Sequence, residues 1–140
     1  MKVEAIHLRA PDADDVHTAE SAQAVAGKGL EGDRYFFEDG ARPGLALTLI
    51  EGDVVRGVEL AAGSTRRQVT VTGTGLNDLV GKRFRVGSVE CYGVMLCEPC
   101  LHLQELTRPG IIMELVHRAG LNADILTDGS ISVGDEVVTI

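Results

Sequence analysis

The chain has 140 residues, 44 % of them hydrophobic and 24 % charged, and a net charge of −8. This is the profile of one ordinary globular domain, residues 1–140, with enough chain to bury a core. The acidic balance opposes binding to nucleic acid or anionic membranes, and no run of about 18 apolar residues offers a membrane span.

Aromatics are 4 % and glycines number 17, so Val, Leu, Ile and Ala must build the core and turns must be frequent. The N-terminal MKVEAIHLRAPDADD carries charges inside its apolar run, unlike a secretory leader. Three cysteines without such a leader read as cytoplasmic thiols, not a disulfide framework.

Alternation predicts a first strand over 2–9, followed by an acidic loop from Pro11 to Asp15. Residues 17–26 fit strand or helix equally, until Gly27-Lys28-Gly29 stops either. Gly29-Leu30-Glu31-Gly32-Asp33-Arg34-Tyr35 is a tight turn. Asp33 and Arg34 are either a surface pair or the rim of a pocket. Phe36-Phe37 packs before a polar loop from Glu38 to Gly44. The apolar run Leu45 to Ile50 predicts a buried strand, and Val54, Val55 and Val58 a short helix over about 51–61. Thr65 to Gly73 alternates as a strand. Leu76 to Val80 reads as a bend, and Gly81 to Gly87 as another strand.

Val89 to Cys97 then forms a strand with Cys91, Gly93, Met95 and Cys97 on one face. Pro99 ends the pairing, so Cys100 sits in a Cys-Glu-Pro-Cys turn at the strand's mouth. Leu101, Leu103 and Leu106 suggest a helical turn. Pro109 opens a helix whose apolar face is Ile111, Ile112, Leu115, Val116 and Ala119, stopped by Gly120. Asp128-Gly129 signals a hairpin, and short strands over 131–135 and 136–140 close the chain. About eight strands with two or three short helices fit a mainly β architecture: a closed or nearly closed antiparallel or mixed β-barrel.

All three cysteines lie within one stretch, from Cys91 to Cys100. Cys91, mid-strand, reads as core, whereas Cys100 is the thiol most open to chemistry. A zinc site would need Cys97 and Cys100 completed by Cys91, His102 and His117, with no second pair at a diagnostic spacing. A Cys97–Cys100 dithiol has the redox spacing but lacks the βαβ surroundings of a thioredoxin-like motif. A single thiolate that binds a soft metal or carries sulfur needs only Cys100 and nearby cations for an anionic ligand. Arg66, Arg67, Lys82, Arg83 and Arg85 offer those cations, or form a solvated strand end. His102, two residues past Cys100, either raises its thiolate fraction or simply packs.

Taken in order, G-L-E-G-D-R-Y, R-R-x-V-x-V-T-G, L-x-x-L-V-G-K-x-F-x-V-G, C-E-P-C and G-x-I-x-V-G-D-x-V resemble a MOSC domain, named for the C-terminal domain of molybdenum cofactor sulfurases. The resemblance runs from about Ile6 to Val138 and is that of a small stand-alone member. It implies a β-barrel fold and a molybdenum–pterin cofactor. It also implies either sulfur carriage for that cofactor or, as an oxidoreductase, reduction of small N-hydroxylated compounds. Cys100 matches the cysteine that relatives use as metal ligand and reactive thiolate. Arg66 and Arg67 match the basic strand position, and Gly32, Asp33 and Arg34 the G-D-R loop. Lys82 adds a further donor for phosphate. Gln68 stands where Asn is common. With no fused aminotransferase-like or ferredoxin-like domain, the chain is expected to lack a pyridoxal phosphate site. It would then depend on a separate sulfur donor or electron-transfer partner.

Overall fold

The computed structural model describes residues 1–140. Eleven strands and three short helices follow one another as β1 (Val3–Leu8), β2 (His17–Ala19), β3 (Ser21–Val25), β4 (Gly29–Leu30), β5 (Leu47–Glu51), α1 (Gly52–Gly57), β6 (Val69–Val71), β7 (Arg83–Val86), β8 (Val89–Leu96), α2 (Leu101–Leu106), α3 (Ile111–Leu115), β9 (Leu121–Ile125), β10 (Gly129–Ser132) and β11 (Val137–Thr139). A 3-10 turn at Leu76–Leu79 precedes β7. Eight strands form one sheet in the order β11-β7-β8-β9-β5-β6-β1-β2, and β10-β3-β4 form a second. The large sheet is antiparallel except where α1 carries the chain from β5 to a parallel β6. It curls into a mixed half-barrel, and a Lys2–Glu136 bridge brings its far ends together. No helix is long and apolar enough to cross a membrane.

Two cores hold these layers. The larger joins 22 buried residues, among them Leu47, Leu49, Val69, Phe84, Leu121 and Ile125 from the large sheet and Ala22, Ala24, Leu30 and Ile131 from the small one. The smaller joins Val58, Leu103, Ile111, Leu115 and Ala119. It belongs to a helical cap on the other face of the large sheet. Arg108 links that cap together, donating to Val58 O at 2.7 Å and pairing with Glu114.

Several expectations change. Residues 17–26 are two strands broken at Glu20, one for each sheet. The strand expected over Thr65 to Gly73 shortens to Val69–Val71, because Arg66 takes a left-handed φ of 60°. Helix α1 ends at Gly57, and Glu59 at φ 59° turns the chain away. The Asp128-Gly129 turn does not close a hairpin. It moves the chain from β9 in the large sheet to β10 in the small one, and Asp128 Oδ1 accepts from Ala26 N at 2.7 Å.

The largest change is in β8, where register shifts against β9 between Gly93 and Met95. A Cβ on Gly93 would lie 2.0 Å from Leu79 O, so only glycine lets the 3-10 turn press onto the strand there. Alternation then slips. Cys91 and Gly93 stay buried, whereas Met95 turns outward at 50 % exposure.

Candidate functional site

A cleft of about 280 Å³ lies between the large sheet and the helical cap. Its floor follows from strand register. Thr48 on β5 stands opposite Asn122 on β9. Gln68, just before β6, donates its N–H to Thr48 Oγ1 at 3.0 Å and receives Thr48 N on its Oε1 at 2.9 Å. On β1, His7 N donates to Gln68 O at 2.8 Å. Asn122, Thr48, Gln68 and His7 therefore form a polar row across four strands, and all four line the cleft. Their neighbours Leu121, Ala123, Leu47, Leu49, Val69, Ile6 and Leu8 face the main core. The pleat sends alternate residues to opposite faces, so the polar side must be the one under the cap.

The turn after β4 is fixed to this floor by Asp33, which is 4 % exposed. Its carboxylate accepts from Arg9 N at 2.8 Å, Gln68 Nε2 at 2.7 Å and Tyr35 N at 3.2 Å. Burial raises its pKa above the ordinary carboxylate value, opposed chiefly by the Gln68 bond. Asp33 thus holds the loop against the sheet, and Gln68 bridges Asp33 to Thr48.

The thiols come from the other wall. Cys97 leaves β8 with its N–H on Gly120 O at 2.8 Å, and Cys100 is the residue before α2. Cys97, Cys100, His102, Leu103 and Leu106 all line the cleft. Cys100 is exposed, Cys97 half-buried and Cys91 buried. Burial pushes the Cys91 thiol up to about 12. Burial also raises Cys97, with the Arg67 charge acting against it.

Two side chains clamp the turn. Arg67 donates Nε to Ala119 O at 2.8 Å, Nη1 to Thr65 O at 3.2 Å and Nη2 to Cys97 O at 3.4 Å. Glu98 accepts from His117 N and Nδ1, both at 2.7 Å. His117 has a left-handed φ of 62°, which turns its backbone toward Glu98.

Of the residues singled out in sequence, Asp33, Arg66, Arg67, Gln68, Cys97, Cys100 and His102 share the cleft, whereas Arg34 and Lys82 do not line it. Arg34 is an exposed turn residue whose N–H bonds Arg9 O at 2.7 Å. Lys82 is exposed between the 3-10 turn and β7. No group of three His, Cys, Asp or Glu side chains could hold a metal ion, so the zinc alternative lacks a donor set. Arg9 and Arg66 line the cleft, and neither pairs with a carboxylate.

Sequence reasoning missed His7, Arg9, Thr48 and Asn122. A signal existed for three of them. Each is a polar residue between apolar neighbours of a central strand, on the side opposite the core.

Fold and site together define a small β half-barrel whose helical cap brings thiols over an arginine-lined cleft. A profile of the MOSC domain matches residues 40–138, and the chain belongs to that family. No curated protein matches the sequence. Solved structures share the fold at low identity. The YuaD protein from Bacillus subtilis superposes with a TM-score of 0.79 at 14 % identity, covering 97 % of this chain and 93 % of its own. YiiM from Geobacillus stearothermophilus gives 0.76 at 15 %, covering 99 % of this chain and 74 % of its own. YiiM from Escherichia coli gives 0.73 at 15 %, covering 100 % and 70 %.

Proposed function

We propose that the cleft binds a molybdenum–pterin cofactor, or holds sulfur for one, with Cys100 as the reactive thiolate. One observation carries this reading: an exposed thiol and guanidinium groups without a carboxylate partner line the same cleft in an acidic protein. A thiolate is a soft donor suited to molybdenum, and a guanidinium suits phosphate.

When bound, such a centre supplies oxo transfer coupled to reduction of an N–O bond, so small N-hydroxylated compounds are the substrates to test. The chain's own residues bind and orient. Arg9 and Arg66 have guanidinium donors to offer an anion. Arg67 spends its donors on carbonyls and sets the position of the Cys97–Cys100 turn. Leu103, Leu106, Leu45 and Tyr35 line the cleft and give its walls apolar surface. Residues 1–140 would act as one domain, with electrons or sulfur delivered by a separate protein. A cytoplasmic location suits free thiols.

A second reading is a Cys97–Cys100 dithiol, favoured because both line the cleft. Its mark would be a defined reduction potential, lost on substituting either cysteine.

Elemental analysis of protein purified anaerobically from a host that makes the cofactor, beside Cys100→Ser, tests the leading reading. Near-stoichiometric molybdenum in the wild type and none in the variant is the expected result. Metal-free protein carrying a persulfide on Cys100 would leave sulfur carriage. Neither metal nor persulfide would overturn both forms.

A further inference from the structure

The buried side-chain polar atoms left without a hydrogen-bond partner are His7 Nδ1 and Asn122 Oδ1. They belong to the two ends of the polar row on the cleft floor. The middle of that row is closed, since Thr48, Gln68 and Asp33 engage one another. A buried polar group without a partner is destabilising. The fold bears that penalty at both ends of one row, within one cleft.

His7 is 5 % exposed. A Cβ on Gly63 would fall 2.6 Å from its Cδ2 and 3.0 Å from its Nε2, so the Gly63 loop seats on that edge of the ring. The Nδ1–Cε1 edge is therefore turned away from the loop. Burial lowers the pKa of His7 from the ordinary imidazole value and so favours the neutral ring, in which one nitrogen donates and the other accepts. Asn122 Oδ1 is an acceptor. Positive charge in the cleft comes instead from Arg9, Arg66 and Arg67.

The two ends are separated by three inter-strand spacings, about 14 Å between main chains at ~4.8 Å each. A flat bicyclic ring is shorter than that span. Neutral groups at the ends and cations on the walls describe a nitrogen heterocycle with an anionic substituent.

We infer that His7 and Asn122 are the heterocycle-reading residues of this cleft. Asn122 Oδ1 accepts a ring N–H or amino group on the β9 side, and His7 Nδ1 holds the opposite end of the ring. The identity of the heterocycle as a pterin rests on the cofactor reading; the recognition floor itself needs no metal.

The test uses metal-free full-length protein and pterin-6-carboxylate as the probe, with binding followed by fluorescence anisotropy. Met113→Ala, at an exposed position outside the cleft, should bind the probe as the wild type does. His7→Leu and Asn122→Ala should each weaken it about tenfold, the effect of one lost hydrogen bond in a buried site. His7→Asn places an amide atom where Nδ1 sits and should retain affinity within about threefold. Thermal melts accompany each variant, and His7→Leu should melt no lower than wild type, because it removes a buried unsatisfied group.

Equal binding by all variants, or no saturable binding by the wild type, overturns the inference. So does a lowered melt of His7→Leu with unchanged binding, which would make the row a hydrated structural feature. Loss in His7→Asn equal to that in His7→Leu removes the Nδ1 assignment. Failure is separable from failure of the cofactor reading. Probe binding without molybdenum loading keeps the floor and removes the metal, whereas loading with variant-insensitive probe binding does the reverse.

Discussion

Three cysteines close together in sequence end in three different environments, and reactivity should follow them. Cys100 is exposed at the cleft, Cys97 is half-buried with a raised pKa, and Cys91 is buried with a pKa near 12. Iodoacetamide labelling followed by mass spectrometry should modify Cys100 first and Cys97 slowly. Cys91 should react only after unfolding. Arg66 supports a second residue-level prediction. Its φ of 60° is strained for any residue with a Cβ, and its Nη2 donates to Asp14 O at 2.8 Å. Arg66→Gly removes the strain and should raise urea stability by about 0.5–1 kcal/mol, while anion binding in the cleft falls. A drop in stability would show that the Asp14 contact outweighs the strain.

At the scale of elements, the cysteine turn is held from two sides, by Arg67 on carbonyls and by Glu98 on His117. Lysine keeps the charge of Arg67 but cannot reach three carbonyls with a planar fork. Arg67→Lys should therefore leave the protein folded yet speed alkylation of Cys97 several-fold, because that residue's carbonyl loses its partner. An unchanged rate would show that the Gly120 carbonyl alone suffices. These elements also show what sequence can convey. The C-E-P-C turn, the buried β5 and the β7–β8 hairpin are local patterns, and the structure has them where alternation and Pro99 put them. The slip in β8 is different in kind. It depends on Leu79 O pressing against Gly93, a contact that spacing does not reveal. The exit at Asp128-Gly129 likewise looks like a hairpin locally, and only the competing partners β3 and β8 send its two strands to different sheets. Arg66 and Arg67 were legible as cations, but the division between them, one with donors to spare and one committed to carbonyls, is a tertiary fact.

At the scale of the molecule, the matched profile begins at residue 40, yet the fold does not. Strand β1 lies between β6 and β2 and carries His7, while β3 and β4 supply Ala22, Ala24 and Leu30 to the main core. Asp33, which fixes the cleft floor, also precedes residue 40. A fragment spanning 40–138 should therefore fail to fold, lacking both cooperative thermal unfolding and dispersed amide resonances. A cooperative melt of that fragment would show that β5 to β11 form a core by themselves.

The separation of the two cores has a dynamic consequence. The cleft floor lies on strands anchored by the 22-residue core, whereas the thiols stand on a cap secured by five buried side chains. Small apolar clusters open by local unfolding far more often than the whole chain denatures. Amides of α2 and α3 should exchange with deuterium well before those of β5, β6 and β9. Escape of anything held in the cleft then follows the opening rate of the cap, so residence time can be tuned at Ile111 or Leu115, which do not line the cleft, without altering a single ligand contact.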